Sequence, residues 1–236
     1  MSLPSAADEG CHDRMPHRYA AVMRTQPSRP LAVAAAIAAA LWALFLLPPQ
    51  QAAWSGAHSP NWLQALDDLP VYEAIRDWLR GMDQYDFYLV FGAAVAPSFL
   101  LIWLATGPTF AALGRSGRVL GWATLLGAPV TFISYLNHAS NAPLRFMWGT
   151  EFLVLVFIGV CALVVAIRAR RHGIPFWERI LVGSTLPILV ISTLALSYWP
   201  HGTLIGYSME AAVLAAWGTR AAAAAPADRR PESAVA

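Results

Sequence analysis

The stretch GTEFLVLVFIGVCALVVAIRARR, residues 149–171, decides the fold class. Between 149 and 167 it holds one charged side chain, Glu151, and then Arg168, Arg170 and Arg171 close the run. A bilayer's hydrocarbon core is about 30 Å thick, so a helix that crosses it needs about 17–25 mostly apolar residues. Residues 149–167 meet that length, and so do 31–47, 85–106, 119–136 and 180–197. A sixth run, 204–219, is slightly short and contains Glu210. The alanines at 221–225 can extend it, with Arg220 snorkelling to the interface.

The charges sort themselves around these runs. All 16 basic residues are Arg. Arg76 and Arg80 fall in the first gap between runs and Arg145 in the third; the other thirteen fall in the two tails and in the second and fourth gaps. Such alternation is the positive-inside pattern of a polytopic membrane protein with both ends in the cytoplasm. Tryptophan placement agrees. Trp54, Trp62, Trp78, Trp148 and Trp199 fall near the expected outer interface, and Trp103, Trp122, Trp177 and Trp217 near the inner one. Only Trp42 of the ten is mid-span, so the rest read as an aromatic belt.

Composition supports the same class. The chain is 57% hydrophobic and 13% charged, which argues against a soluble domain. The net charge of +2 understates a strongly basic face that meets anionic headgroups. Nothing in it makes a nucleic-acid surface. Sixteen Arg without a Lys, with abundant Ala, suggests a GC-rich, bacterial coding genome. Cys11 and Cys161 lie in a tail and in the fourth run, which excludes a disulfide between them in this topology. The expected fold is an all-α integral membrane protein: a six-helix transmembrane bundle with one short outer interfacial helix. Residues 1–30 and 220–236 read as disordered cytoplasmic tails, and 31–219 as the transmembrane domain. The first run reads as an uncleaved anchor, since the basic stretch before it is long for a signal peptide. No internal repeat relates the halves.

The interfacial helix belongs to the outer loop, 48–84. Pro70 suits a first helical turn, and Val71, Ile75, Trp78, Leu79 and Met82 recur at helical spacing. Glu73, Arg76, Asp77 and Arg80 take the other face. Such a helix lies along a membrane surface with its apolar side down. It serves as a lid or docking surface, or simply as a connector.

Glu210 is the sharpest candidate for chemistry. It lies about seven residues, or ~10 Å, into the last run from the outer side. A carboxylate at that depth faces protein or water, or carries a proton. Thr203, Tyr207 and Glu210 share a helical face, so Tyr207 offers a hydroxyl partner. The active reading is proton carriage, cation binding or acid–base catalysis; the bland one is a hydrogen-bonded packing residue.

The third run supplies a second clue. Thr124, Gly127, Thr131, Ser134 and His138 form one narrow stripe of small and polar residues. It permits close helix approach or lines a crevice with His138 at its mouth. Pro97, Pro129 and Pro187 are expected kink points. Other outer polar groups are Asp83, Asp86, Asn137, Asn141 and His201, with Arg145 and Glu151 placed to form an interfacial ion pair. The candidate catalytic residues are Glu210, His138 and Glu151; the candidate substrate or ion ligands are Glu210, Tyr207, Ser134, His138 and His201.

No metal-motif spacing joins these residues, so no metal is assigned. No cofactor is implied: a bis-imidazole haem needs facing His pairs, and there is no Walker-type loop. The Ser and Glu signatures of intramembrane serine proteases and of prenyl endopeptidases are missing as well. The partners implied are the lipid bilayer and another membrane protein. Three classes follow: a non-catalytic membrane subunit, which the sequence favours; a proton-coupled carrier using Glu210; and an outward-facing enzyme acting on a lipid-linked substrate. Any site is expected to open at the Arg-poor end.

Overall fold

A computed structural model of the chain describes residues 27–82, 86–196, 198 and 200–220. The expected tails at 1–26 and 221–236, with Cys11, and the positions Asp83, Tyr85, Ser197 and Trp199 lie outside the described residues. Among the described residues every regular element is helical. The α-helices are α1 (Arg29–Ser55), α2 (Asn61–Asp67), α3 (Pro70–Gly81), α4 (Phe87–Ala93), α5 (Ala96–Ala112), α6 (Gly114–Leu136), α7 (Thr150–Arg168), α8 (Phe176–Gly183), α9 (Thr185–Leu196) and α10 (His201–Trp217). Short 3-10 turns join some of them.

Among the described residues, four helical stretches are long and apolar enough to cross a membrane: Arg29–Ser55, Phe87–Ala112, Gly114–Leu136 and Arg145–Arg171. The pair α8 and α9, bent by 49° at Ser184, makes a fifth if it is one span. The last helix, α10, has 17 residues and stays below that length. It is the centre of the bundle, packed against α1, α5, α8 and α9, with Leu204, Tyr207, Ala211, Leu214 and Ala215 fully buried. A helix packed against protein over most of its surface does not need an apolar surface all round, which is why α10 tolerates Glu210 and several hydroxyls, with Met209 and Trp217 its exposed side chains. Its neighbour α1 approaches on a stripe of alanines, Ala32, Ala35, Ala36, Ala39 and Ala43, all buried; small side chains let two backbones come close.

Prolines behave differently from the expectation at three places. Helix α1 runs through Pro48 and Pro49 to Ser55, where the sequence reading ends the span at 47. Pro49 has no N–H for the Phe45 carbonyl, and the Tyr72 hydroxyl of α3 donates to that oxygen at 2.8 Å instead. The bundle thus repairs the helix from outside. Pro129 sits inside an unbroken α6. Pro97 and Pro187 do accompany breaks, each lying in the first turn after one. At the α4–α5 break the Ser98 amide turns to Val95 O, and the Ala94 carbonyl is taken by Trp42 Nε1 at 2.6 Å. The one mid-span tryptophan therefore has a structural task.

Helix α3 forms where Pro70 and the apolar spacing place it. Its buried side differs: Tyr72 and Leu79 are buried and Ile75 packs on the core, while Val71, Trp78 and Met82 are exposed. The bundle claims the flank of the apolar stripe that carries Tyr72. On the charged side Arg76 pairs with Asp67 at 2.8 Å and Glu73 at 3.3 Å, and Arg80 with Glu73 at 3.3 Å and Asp77 at 2.5 Å. Hydrogen bonds from Arg80 and then Arg76 hold the Glu73 carboxyl below its usual range.

The Arg-rich end is more than a row of topology signals. Arg29 donates to Ala216 O, and to Gly218 O at 3.2 Å, while Arg220 donates to Pro27 O at 2.8 Å. A guanidinium on the last carbonyls of α10 satisfies acceptors that have no intrahelical donor and suits the negative end of the dipole. Glu178 is fully buried there and accepts from the Thr219 amide at 2.9 Å.

Candidate functional site

At the Arg-poor end the polar residues of four segments converge. The foundation is Ser134, fully buried in the last turn of α6. The chain beyond it is closed by Asn137, whose Nδ2 donates to Ile133 O at 2.8 Å and whose Oδ1 accepts from Leu144 N at 3.0 Å. Arg145 donates to His138 O and lies over the Trp148 ring at 4.3 Å. Gly149 then turns the chain with φ +86°, a conformation that costs glycine little, and its N–H donates to Ser134 Oγ at 2.9 Å. Ser134 in turn donates to Glu151 Oε2. Glu151 is 3% exposed and sits in the first turn of α7, where the helix dipole favours an anion.

Facing Glu151 are three tyrosines from distant parts of the chain. Tyr88 belongs to α4, Tyr135 to α6, and Tyr198 to the link before α10. The Tyr198 hydroxyl donates to Tyr88 Oη at 3.3 Å and accepts from Gln50 Nε2 at 3.2 Å. Its one proton is thereby committed, so Tyr135 Oη, 3.5 Å away, is the donor in that contact. The rings stack in series: Trp54 to Tyr88 and Tyr88 to Tyr135, each with centroids 5.3 Å apart. Tyr135 lies so close to α4 that a Cβ on Gly92 would be 2.1 Å from its Cε1. These five rings (Trp54, Tyr88, Tyr135, Trp148 and Tyr198), with Gly149 and Glu151, enclose a cavity of 340 Å³.

A second, apolar cavity of 470 Å³ begins at Gly149 and runs between α7 and α9. Phe152, Leu155, Val156, Leu186, Leu189 and Val190 form its walls, with Thr193 and Thr203 beside them. Those two threonines bond to each other at 2.5 Å.

The residues singled out in the sequence divide sharply. Ser134 and Glu151 come together at the aromatic cavity. His138 stands beside it: Nε2 is 3.1 Å from Asp86 Oδ2, and its ring packs on Tyr88 at 5.1 Å. His201 is fully buried in the first turn of α10 rather than in the turn before it, bonded through Nε2 to Phe91 O at 3.1 Å. Tyr207 bonds to Thr124 Oγ1 at 2.8 Å in the bundle interior, not to Glu210.

Glu210 lines neither cavity. Its Oε1 is 2.8 Å from Thr185 Oγ1, at the α8–α9 break, and its buried Oε2 has no partner. Thr185 Oγ1 is also 2.7 Å from Val182 O. Thr185 thus has two acceptors within reach and one hydroxyl proton to give. Arg145 makes no ion pair with Glu151; Trp148 and the His138 carbonyl hold it instead. The expected stripe on α6 splits as well. Gly127 is a packing position, where a Cβ would be 2.3 Å from Phe99 Cδ1, while Ser134 belongs to the site.

Sequence reasoning missed Gln50, Tyr88, Tyr135 and Tyr198, and assigned Trp54 and Trp148 to the aromatic belt alone. Their shared signal is position: each of the three tyrosines stands at the Arg-poor end of a run. Comparison of the chain with protein-family models, curated proteins and solved structures returns no match.

Proposed function

We propose that the chain is a six-span protein of the cell membrane, with the Arg-rich end and both termini in the cytoplasm and α3 along the outer surface. Its surface supports this reading. Ile37, Leu41, Leu126, Phe132, Leu153, Phe157, Val160, Ile191 and Leu194 are all exposed, far more apolar area than a soluble monomer displays. The bent pair α8–α9 and the protein-packed α10 then supply the fifth and sixth crossings.

Within that membrane protein we assign a non-catalytic, ligand-binding role to the outward-facing aromatic pocket. The observation that carries it is the convergence of Glu151 and five rings from five segments on one 340 Å³ cavity. Small-ligand sites have this character, an apolar wall with a few placed polar groups. Ser134 has no free role as a nucleophile: it is buried, accepts from Gly149 and gives its proton to Glu151. It positions the carboxylate. A second reading, a proton-coupled carrier, is favoured by one observation, the unpartnered Glu210 oxygen at a bent helix pair.

Isosteric variants separate the two. Glu151→Gln and Glu210→Gln are each introduced into the native gene, with protein amount and monodispersity checked by size-exclusion chromatography. In growth competition, Glu151→Gln is expected to behave as a deletion and Glu210→Gln as the native protein. Loss through Glu210→Gln with Glu151→Gln unaffected replaces the binding reading with the carrier.

A further inference from the structure

The two cavities share Gly149. Their linings are chemically opposite, which is the signature of a site for an amphiphile. We infer that together they hold one phospholipid of the outer leaflet with an ammonium headgroup: the ammonium in the aromatic pocket against Glu151, an acyl chain in the groove between α7 and α9. This rests on the reading of the pocket as an outward-facing ligand site and adds the ligand's class.

The headgroup chemistry follows from the lining. Glu151 is the one formally charged side chain among the residues around the aromatic cavity, so the pocket selects a cation over an anion. Aromatic rings attract cations through their negative faces, and quaternary and primary ammonium groups are recognised in this way. A guanidinium stands at the rim: Arg145 lies 4.3 Å over the ring of Trp148, itself part of the wall. Ammonium inside and phosphate at the rim match a zwitterionic phospholipid, with opposite charges in the order the site presents them.

The groove runs along the helices. On α7 its lining extends from Gly149 to Val156, about seven residues or ~10 Å, which is part of the ~15 Å half-thickness of the hydrocarbon core. Beyond it α7 and α9 touch at Gly159, where a Cβ would be 2.8 Å from Leu186 Cβ. The groove's two hydroxyls, Thr193 and Thr203, bond to each other, so an acyl chain meets no unsatisfied group there. A soluble cation explains the pocket but leaves the groove without purpose.

The full chain, purified and delipidated in detergent, is titrated with dioleoyl phosphatidylethanolamine, dioleoyl phosphatidylglycerol and glycerophosphoethanolamine, with binding read by native mass spectrometry and thermal shift. The expected result is one phosphatidylethanolamine per chain, bound about tenfold or more tighter than phosphatidylglycerol. Glu151→Gln, and separately Trp54→Ala at an exposed ring, should erase that preference. Val156→Trp, which fills the groove from its open side, should weaken both lipids alike. Equal affinity for the two lipids, or a preference that survives Glu151→Gln, overturns the inference. Glu151-dependent binding of glycerophosphoethanolamine as tight as the lipid also overturns it, while leaving the pocket as a ligand site. Absence of Glu151-dependent binding by all three probes overturns both.

Discussion

Glu151 and Glu210 are each 3% exposed, each accepts or shares one hydroxyl bond, and each lies among apolar helices. Yet only one is part of a site. Glu151 is fixed by a short relay, Gly149 to Ser134 to carboxylate, with its pocket face toward five rings. Glu210 is bonded to Thr185 and lines neither of the two cavities. Burial of a charge marks a residue as unusual; convergence of other groups around a space marks it as useful. Depth in a span, the criterion that singles out Glu210 in the sequence, measures only the first.

The comparison can be broken by variants placed symmetrically on its two sides. The largest effects are expected at two glycines. A Cβ at Gly92 would press on Tyr135 at 2.1 Å, and one at Gly206, a turn from Glu210, on Ser192 Oγ at 1.8 Å. Gly92→Ala and Gly206→Ala should each lower stability by about 1–3 kcal/mol through overpacking, read as thermal unfolding in detergent. Only Gly92→Ala should also weaken ligand binding, because Tyr135 is a pocket wall.

Next come the hydroxyls that hold the carboxyls. Ser134→Ala and Thr185→Val each remove one, at about 1–2 kcal/mol for a side-chain bond between membrane helices. Ser134→Ala should loosen the pocket as well, whereas equal binding losses from Thr185→Val would join the two regions into one functional unit. Tyr198→Phe removes the hub of the tyrosine cluster and should cost roughly 1 kcal/mol, with the pocket ligand bound more weakly.

How much of this the sequence reveals depends on whether a feature is local. Length and apolarity place most of the runs, and Pro70 with its spaced hydrophobics places α3, because helix formation reads from neighbours in the chain. The end of α1 is not legible that way: Pro48 and Pro49 read as a stop from the chain alone, and the hydroxyl that takes the Phe45 carbonyl beside them comes from Tyr72 of another element. The site is illegible for the same reason. Tyr88, Tyr135 and Tyr198 are far apart in sequence, and each one alone reads as an interfacial aromatic. Ser134 and Glu151 are visible as polar residues, but their bond depends on the Gly149 turn. Glu178 escapes notice because the Arg cluster around it reads as solvated charge, while the structure buries it under the end of α10.

Smaller effects test α3. Tyr72→Phe frees the Phe45 carbonyl beside Pro49 and should cost roughly 0.6 kcal/mol, visible as faster hydrogen exchange in the last turns of α1. The smallest is a pH effect. Because Arg80 and Arg76 hold Glu73 below its usual range, the stabilisation is complete above the ordinary glutamate range. It is lost as pH falls through the lowered value. Exchange in α3 should therefore rise, after correction for intrinsic rates, only in acid, and Glu73→Gln should remove that dependence.

The proposed topology turns the aromatic pocket out of the cell. It is tested most directly with single cysteines in a background lacking Cys11 and Cys161. Ser140→Cys lies in the exposed link between α6 and α7 that carries the pocket rim, and Ser116→Cys lies in the first turn of α6 at the Arg-rich end. A membrane-impermeant maleimide applied to intact cells should label Ser140→Cys at once and Ser116→Cys only after permeabilisation. Labelling of Ser116→Cys in intact cells, with Ser140→Cys protected, would invert the topology and contradict the account.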